Sequence, residues 1–472
     1  MRATVLAEVP ASNPSRVLGS KMDSIPFSPY QILIIFVLSL TGFIEGYDLV
    51  MTGSLLVLAK APLHLTGSDI QWLILGPSIA LTISGFAFSV IGDRLSRKAI
   101  LLIGVISTTF LTLLIPLVRD PEQLIILRLL TGLGAGGVVS ATYPIATELM
   151  PAQHRRTSAA AYEMALASSF TIVPFIAGMI AGNADAFRLL ALPGGLALIF
   201  VPAIIYFLLP ESPRWHLRRG RAQTAVDIVN QIIRRSGNRV PLLTVAALGA
   251  VHATAREKMP PYWALFAKGQ LRWTVVGVVT GGCGGIAFFL IAVLLPKALT
   301  DQGYAIASSL GLTSVVYAAS FFGKGFTGFL MEIIGRRWTI FYALGGSLPG
   351  ICLMLLAHQA GPYAGIVMTA GGLLTGFTAL SCFTATRVYL SEQFPTALRG
   401  RGHIFGESFG RIFAGGLVPF FIAPHTGSPV IYFGTILGVV AVGAFIPLLF
   451  GKETIGQIEL VAAEAGGVPE LA

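Results

Sequence analysis

Gly92-Asp93-Arg94-Leu95-Ser96-Arg97-Lys98 is a short polar, basic connection between two apolar stretches. A related connection, Met331-Glu332-Ile333-Ile334-Gly335-Arg336-Arg337, stands 239 positions later. Further out, Glu148-Leu149-Met150-Pro151 with Arg155 is echoed by Glu392-Gln393-Phe394-Pro395 with Arg399, at a shift of 244 that also lays Glu163 on Glu407. Glu211-Ser212-Pro213 is echoed by Glu453-Thr454. Four echoes in nearly the same register indicate an internal duplication, in which acid and base recur at equivalent helix ends.

The duplicated unit is a membrane unit. Of 472 residues, 54% are hydrophobic and 11% charged, against about 25% charged in soluble domains. Apolar stretches long enough to cross a bilayer as helices recur near 31–59, 69–91, 99–118, 122–149, 157–182, 187–209, 272–297, 304–331, 338–358, 361–391, 402–424 and 428–450. The expected fold is all-α: twelve transmembrane helices in two pseudo-symmetric six-helix bundles. The expected layout is a tail at 1–30, one bundle at 31–209, a polar linker at 210–271, the second bundle at 272–450 and a tail at 451–472.

Lysine and arginine set the orientation. Leaving out the long linker, thirteen lie on the side of the termini and four, Lys60, Arg119, Arg188 and Lys297, on the other. Both termini are therefore expected in the cytoplasm, in a plasma or bacterial inner membrane. The net charge of +10 follows from this topology, and no nucleic-acid partner is expected. Cys283, Cys352 and Cys382 lie in apolar runs without ligand spacing, so no disulfide, metal or other cofactor is expected. The first thirty residues lack the basic start and apolar core of a cleaved signal peptide.

Four basic residues remain inside spans: Arg128, Lys324, Arg387 and Arg411. The first span carries two acids. Thr41, Glu45, Asp48 and Thr52 are spaced by four, three and four residues and share one helical face. A charge at membrane depth costs at least ~2.5–3.5 kcal/mol, so it marks a pathway or a proton relay by default. The corresponding positions of the seventh span are Gly282 and Gly285, so the shared scaffold does not demand these acids.

Gly92–Lys98 resembles the signature loop of the major facilitator superfamily. Pro210-Glu211-Ser212-Pro213-Arg214-Trp215 is similar to the stretch after the sixth span of its sugar-porter-like members. Arg128, with Gly132, Gly134, Gly136 and Gly137, resembles the fourth-span motif. The resemblance implies two bundles rocking around a central site. Within the superfamily, Glu45-Gly46-Tyr47-Asp48 resembles the first-span acid motif of aromatic-acid and metabolite proton symporters. Phe394 to Gly402, Arg411 and Pro419 resemble the broader organic-ion group. Sugar porters carry a paired glutamine motif in the seventh span; here Gly281-Gly282-Cys283-Gly284-Gly285 supplies no amide.

These features point to a secondary transporter, not an enzyme. It is expected to be a lipid-embedded monomer whose partners are a small organic anion and protons. Asp48, Glu45 and Arg128 are the proton-coupling candidates; by resemblance, Asp48 and Arg128 form the coupling pair. Arg411, Arg387 and Lys324 are candidates for an anion, because a guanidinium grips a carboxylate bidentately and stays charged when buried. Glu407, four residues before Arg411 and placed for an intrahelical ion pair with it, is a further candidate of the substrate site. Thr378, Ser381 and Thr384 form a polar stripe leading to Arg387, and Tyr47, Tyr143 and Tyr317 are candidates for clamping a ring. The cytoplasmic gate is expected from Asp93, Arg97, Glu148, Arg155, Glu211, Glu332, Arg336, Glu392, Arg399 and Glu453. Efflux of organic cations and uptake of sugars or polyols are the alternatives. A nutrient sensor is weaker, since only the 22 residues 451–472 follow the last span.

Overall fold

The structure is a computed structural model that describes residues 14–91, 94–237, 240–248, 262–267, 270–394, 398, 402, 405–406 and 410–453. Among them, eleven helices are long and apolar enough to cross a membrane. They are Pro29–Leu58, Gly67–Phe88, Arg97–Leu117, Pro121–Leu149, Ala152–Ile180, Ala186–Leu208, Leu271–Asp301, Ile306–Ile333, Arg336–Gln359, Gly361–Leu390 and Pro429–Phe450. These are spans one to ten and span twelve. Span eleven is seen as Arg411–Leu417 and Val418–Ile422, and part of its start lies outside the described residues.

Several spans begin where a serine and a proline meet. Ser28 caps span one by accepting from the Tyr30 amide, and Pro29 takes the first helical position, where a missing N–H matters least. Ser428 and Pro429 start span twelve in the same way. Glycine then sets how closely the spans approach. A Cβ at Gly46 would stand 2.7 Å from the Leu166 carbonyl oxygen, so span one lies directly on span five. A Cβ at Gly132 would stand 2.5 Å from the Pro77 carbonyl oxygen, which brings span four onto span two. The glycine run of span four is packing surface.

The two ends of the bundle differ. Helices Pro14–Asp23 and Ala222–Arg235 lie at one end, called here the terminal end. There the N-terminal half keeps a core of its own, in which Leu18 and Met22 join Val138, Leu149, Val226 and Ile232. Leu265, Leu390 and Phe394 form a separate cluster on the other half. At the far end a single core runs through both halves, joining Leu55, Leu58 and Leu73 to Leu290, Val293 and Leu299.

Polar contacts follow the same division. Ser78 donates to the Gly415 carbonyl at 2.8 Å, and Gln71 to that of Phe420 at 3.0 Å. Ser314 donates to the Thr171 carbonyl at 2.8 Å. Lys60 reaches Asp301 at 3.3 Å, and the buried Lys297 donates to the same carboxylate. All but the last join the two halves, so the halves are zipped together at the far end.

Candidate functional site

Span one presents Asp48 and Thr52 to span four. Arg128 is 1% exposed, and its Nη2 donates to the Asp48 carbonyl at 2.9 Å and to Oδ2 at 3.4 Å. Its Nη1 grips Oδ1, and Thr52 accepts a further bond from Nη2. The aspartate is therefore held from both carboxylate oxygens within one half, by charge-assisted bonds from an almost wholly buried guanidinium.

Glu45 stands one turn earlier and has other partners. One carboxylate oxygen accepts from the Tyr162 hydroxyl of span five. The other faces Arg411 of span eleven, across the boundary between halves, at 3.8 Å. That separation is an ion pair without a hydrogen bond. Arg411 opens a π-helical turn, Arg411–Leu417, and span seven carries another at Leu290–Leu294. Such turns interrupt the regular helix and are frequent at functional sites.

Glu163 of span five is a third acid at this level, and it is buried. Lys324 of span eight donates to Oε2 at 3.1 Å and Arg387 of span ten to Oε1 at 3.2 Å. Tyr143 of span four also donates to Oε1. The Arg387 guanidinium lies 4.2 Å from the centre of the Phe383 ring, which stacks on Phe288. Glu163 thus crosses the same boundary as Glu45, with three donors in place of one.

Two adjoining spaces lie between these groups. The larger, about 610 Å³ counting space open to solvent, is lined by Glu45, Asp48, Thr52, Ser78, Arg128 and Arg411, among others. The smaller, about 340 Å³ on the same measure, is lined by Arg387, Arg411, Phe289, Phe383 and Thr386, with Gly281, Gly285, Gly406 and Gly410. Arg411 and Phe289 face both spaces. A Cβ added at Gly410 would meet nothing within 4 Å, so missing side chains leave part of this room.

The structure gathers Glu45, Asp48, Arg128, Arg387 and Arg411 on the cavity walls, with Lys324 and Tyr143 reached through Glu163. It takes Tyr47 and Tyr317 elsewhere. The Tyr47 hydroxyl donates to the Leu190 carbonyl of span six, and the Tyr317 hydroxyl to the Ile291 carbonyl at 3.0 Å, so both act in packing. The stripe before Arg387 also turns inward, for Ser381 accepts from Thr327 at 2.7 Å. Thr386 is the threonine of this span that lines a cavity. Glu407 lies outside the described residues.

The expected gate residues form helix-end pairs within each half. Arg97 meets Glu148 at 3.0 Å, Ser212 donates to Glu148, and Ser96 donates to Glu211 at 3.1 Å. Arg336 holds Glu392 through Nε and Nη2 at 3.1 and 3.2 Å, and Glu453 accepts the Arg336 amide at 2.8 Å. Arg155 reaches Asp23 of the N-terminal helix at 3.0 Å rather than a duplicated acid. Glu332 is exposed at the end of span eight, and Asp93 and Arg399 lie outside the described residues. These bonds tie the ends of spans three, four and six, and of nine, ten and twelve, so each half is braced separately at the terminal end.

Sequence reading missed Glu163 and Tyr162 as site residues. Glu163 stood out only as the counterpart of Glu407, although an acid inside a span is itself a signal. Tyr162 carried none. The sequence model of the Major Facilitator Superfamily matches residues 38–411. The chain belongs to the major facilitator superfamily. It is a multi-pass membrane transporter and not an enzyme, as its motifs led one to expect.

Among its relatives in the superfamily, the niacin transporter NiaP of Acinetobacter baylyi is 23% identical over 448 residues, covering 93% of this chain and 98% of that one. The gallate transporter of Pseudomonas putida is 24% identical over 442 residues, covering 91% and 93%. A partially occluded, inward-open structure of the xylose transporter XylE from E. coli superposes with a TM-score of 0.73 at 18% identity, covering 91% of this chain and 99% of that one. That likeness concerns the fold.

Proposed function

We propose that this transporter carries a small organic carboxylate together with protons, by alternating access between its two halves. The observation that carries the reading is the pair Glu45–Arg411, a buried acid facing a buried guanidinium across the boundary between halves at 3.8 Å. Asp48 is held by Arg128 within one half, and Glu163 has three donors. Glu45 is therefore the carboxylate least compensated by its surroundings and the one best placed to take a proton. Once neutral, it gives up its claim on Arg411, which then draws an anion's carboxylate into the cavity beside Arg387. Asp48 and Arg128 form the fixed part of the coupling site.

The rings of Phe289 and Phe383 on the wall of the glycine-lined space offer apolar faces on which a substrate ring would stack once the halves part. The relatives named for niacin and gallate, both aromatic acids, fit that reading. A cation in the smaller space would face the like charges of Arg387 and Arg411, and a sugar would find few neutral hydrogen-bonding side chains on the described walls. The Lys/Arg bias puts the terminal end in the cytoplasm of a plasma or bacterial inner membrane. The far-end contacts then close the outer side, and the helix-end pairs stiffen each half as it rocks.

The test is uptake of nicotinate, gallate and benzoate into proteoliposomes under an imposed pH gradient. Glu45→Gln is expected to abolish gradient-driven accumulation while leaving exchange of anion across the membrane. Accumulation by Glu45→Gln at the unmodified rate would remove this acid from the mechanism. No carboxylate uptake by the unmodified protein would remove the function itself.

A further inference from the structure

Lys324 and Arg387 converge on one carboxylate from two different helices, each taking one oxygen, in a site where all three groups are buried or nearly so. Two cations so arranged are what a receptor for an organic acid needs. Here the acid is supplied by the protein itself, from the opposite half. The Arg387 guanidinium also lines the smaller cavity, so the occupied receptor borders the space in which an anion would sit. The bond network is closed on the glutamate side by Tyr143, which anchors Oε1 from span four.

We infer that Glu163 is an internal stand-in for the transported anion: it fills the Lys324–Arg387 receptor when the site is empty and yields it to a substrate carboxylate on loading. The inference rests on the carboxylate reading above and deepens it. Two consequences follow from charge alone. Glu163 spares the empty transporter the burial of Lys324 and Arg387 without this carboxylate, a costly arrangement in low dielectric. It also limits the charge of the cargo. While Glu163 stays ionised beside the cavity it repels a second negative charge, so the site accepts a monocarboxylate and rejects a dicarboxylate. The charged and titratable groups facing Glu163 are Lys324, Arg387 and Tyr143, with Tyr162 and Glu45 within electrostatic reach and Arg411 paired to Glu45.

The experiment compares binding of benzoate and of terephthalate, a ring with a second carboxylate opposite the first, to the full chain in nanodiscs. Unmodified protein is expected to bind benzoate in an Arg411-dependent manner and terephthalate poorly. Glu163→Gln is expected to shift the terephthalate-to-benzoate affinity ratio upward by about tenfold or more, the scale of one charge interaction in a partly buried site. The charge-balanced double variant Glu163→Gln/Lys324→Gln should return the ratio towards the original. That double variant and Glu163→Asp, whose shorter side chain should give an intermediate ratio, carry the test even if Glu163→Gln alone does not survive purification.

A strut that merely ties the halves would lower the unfolding temperature of these variants with no change in the ratio. An unchanged ratio across the set, with benzoate binding intact, would overturn the inference and leave the carboxylate reading standing. Absence of benzoate binding by the unmodified protein would instead strike that reading, and the inference with it.

Discussion

The two halves share a duplicated scaffold, yet among the described residues around the cavities they carry opposite charge. The N-terminal half brings the three acids Glu45, Asp48 and Glu163 and spends one base, Arg128, inside its own wall. The C-terminal half brings the bases Lys324, Arg387 and Arg411. At the far end the signs reverse, and Lys60 of the first half meets Asp301 of the second. Duplication explains where the helices stand, whereas the asymmetry of charge is what the proposed anion site rests on. Under the proposed function, the acidic wall pressed on the basic wall holds the empty site and opens room for an anion once a proton neutralises the acid.

Breaking the pair that lies inside one wall should give the largest effect. Arg128→Gln leaves Asp48 buried without its cation, which costs about 3–5 kcal/mol, and should show as a marked fall in thermal unfolding temperature together with loss of uptake. Asp48→Asn/Arg128→Gln should recover most of the stability and none of the coupled uptake. If the double variant is as unstable as the single one, the pair is not the unit described here.

A smaller effect is expected at the far end, where the comparison changes sign. Asp301→Asn removes the partner of the half-exposed Lys60, a contact worth about 0–1 kcal/mol, and also that of the buried Lys297. It should speed labelling of a Ser78→Cys variant by an impermeant thiol reagent severalfold. Unchanged labelling would mean that the apolar zipper of Leu55, Val293 and their neighbours closes this end unaided.

The smallest effect belongs to the bracing of the terminal end. His216 packs edge-on against Trp215, and burial holds its imidazole below the ordinary value of 6.5, opposed by Glu211 and reinforced by Arg221. Unfolded chain therefore binds the proton first, so stability contributed above the ordinary value is lost as pH falls through it. His216→Gln should flatten the pH dependence of unfolding followed by tryptophan emission between about pH 7 and 5. An identical slope in the variant would place that dependence on other groups.

Much of the candidate site was legible before any fold was known. Asp48 and Glu45 declared themselves because charge inside an apolar run is expensive, and Arg128, Arg387, Lys324 and Arg411 did so for the same reason. What their positions along helices could not convey was direction around the helix axis relative to distant partners. Tyr47 shares its segment with Glu45 and Asp48, but the approach of span six at Gly194 turns it into a packing residue. Arg155 belongs to the duplicated pattern, but a short helix before the first span supplies its acid.

The amino-acid sequence by itself determined the membrane-spanning helices, their duplication and the charges among them. Hydrophobic length and the cost of isolated charge are local properties that any helix in lipid must obey. Which acid meets which base was decided only by tertiary structure. Glu163 finds its partners 161 and 224 residues away, on helices of the opposite half. Such a pairing depends on which faces the two halves press together, and no spacing within a single helix encodes it.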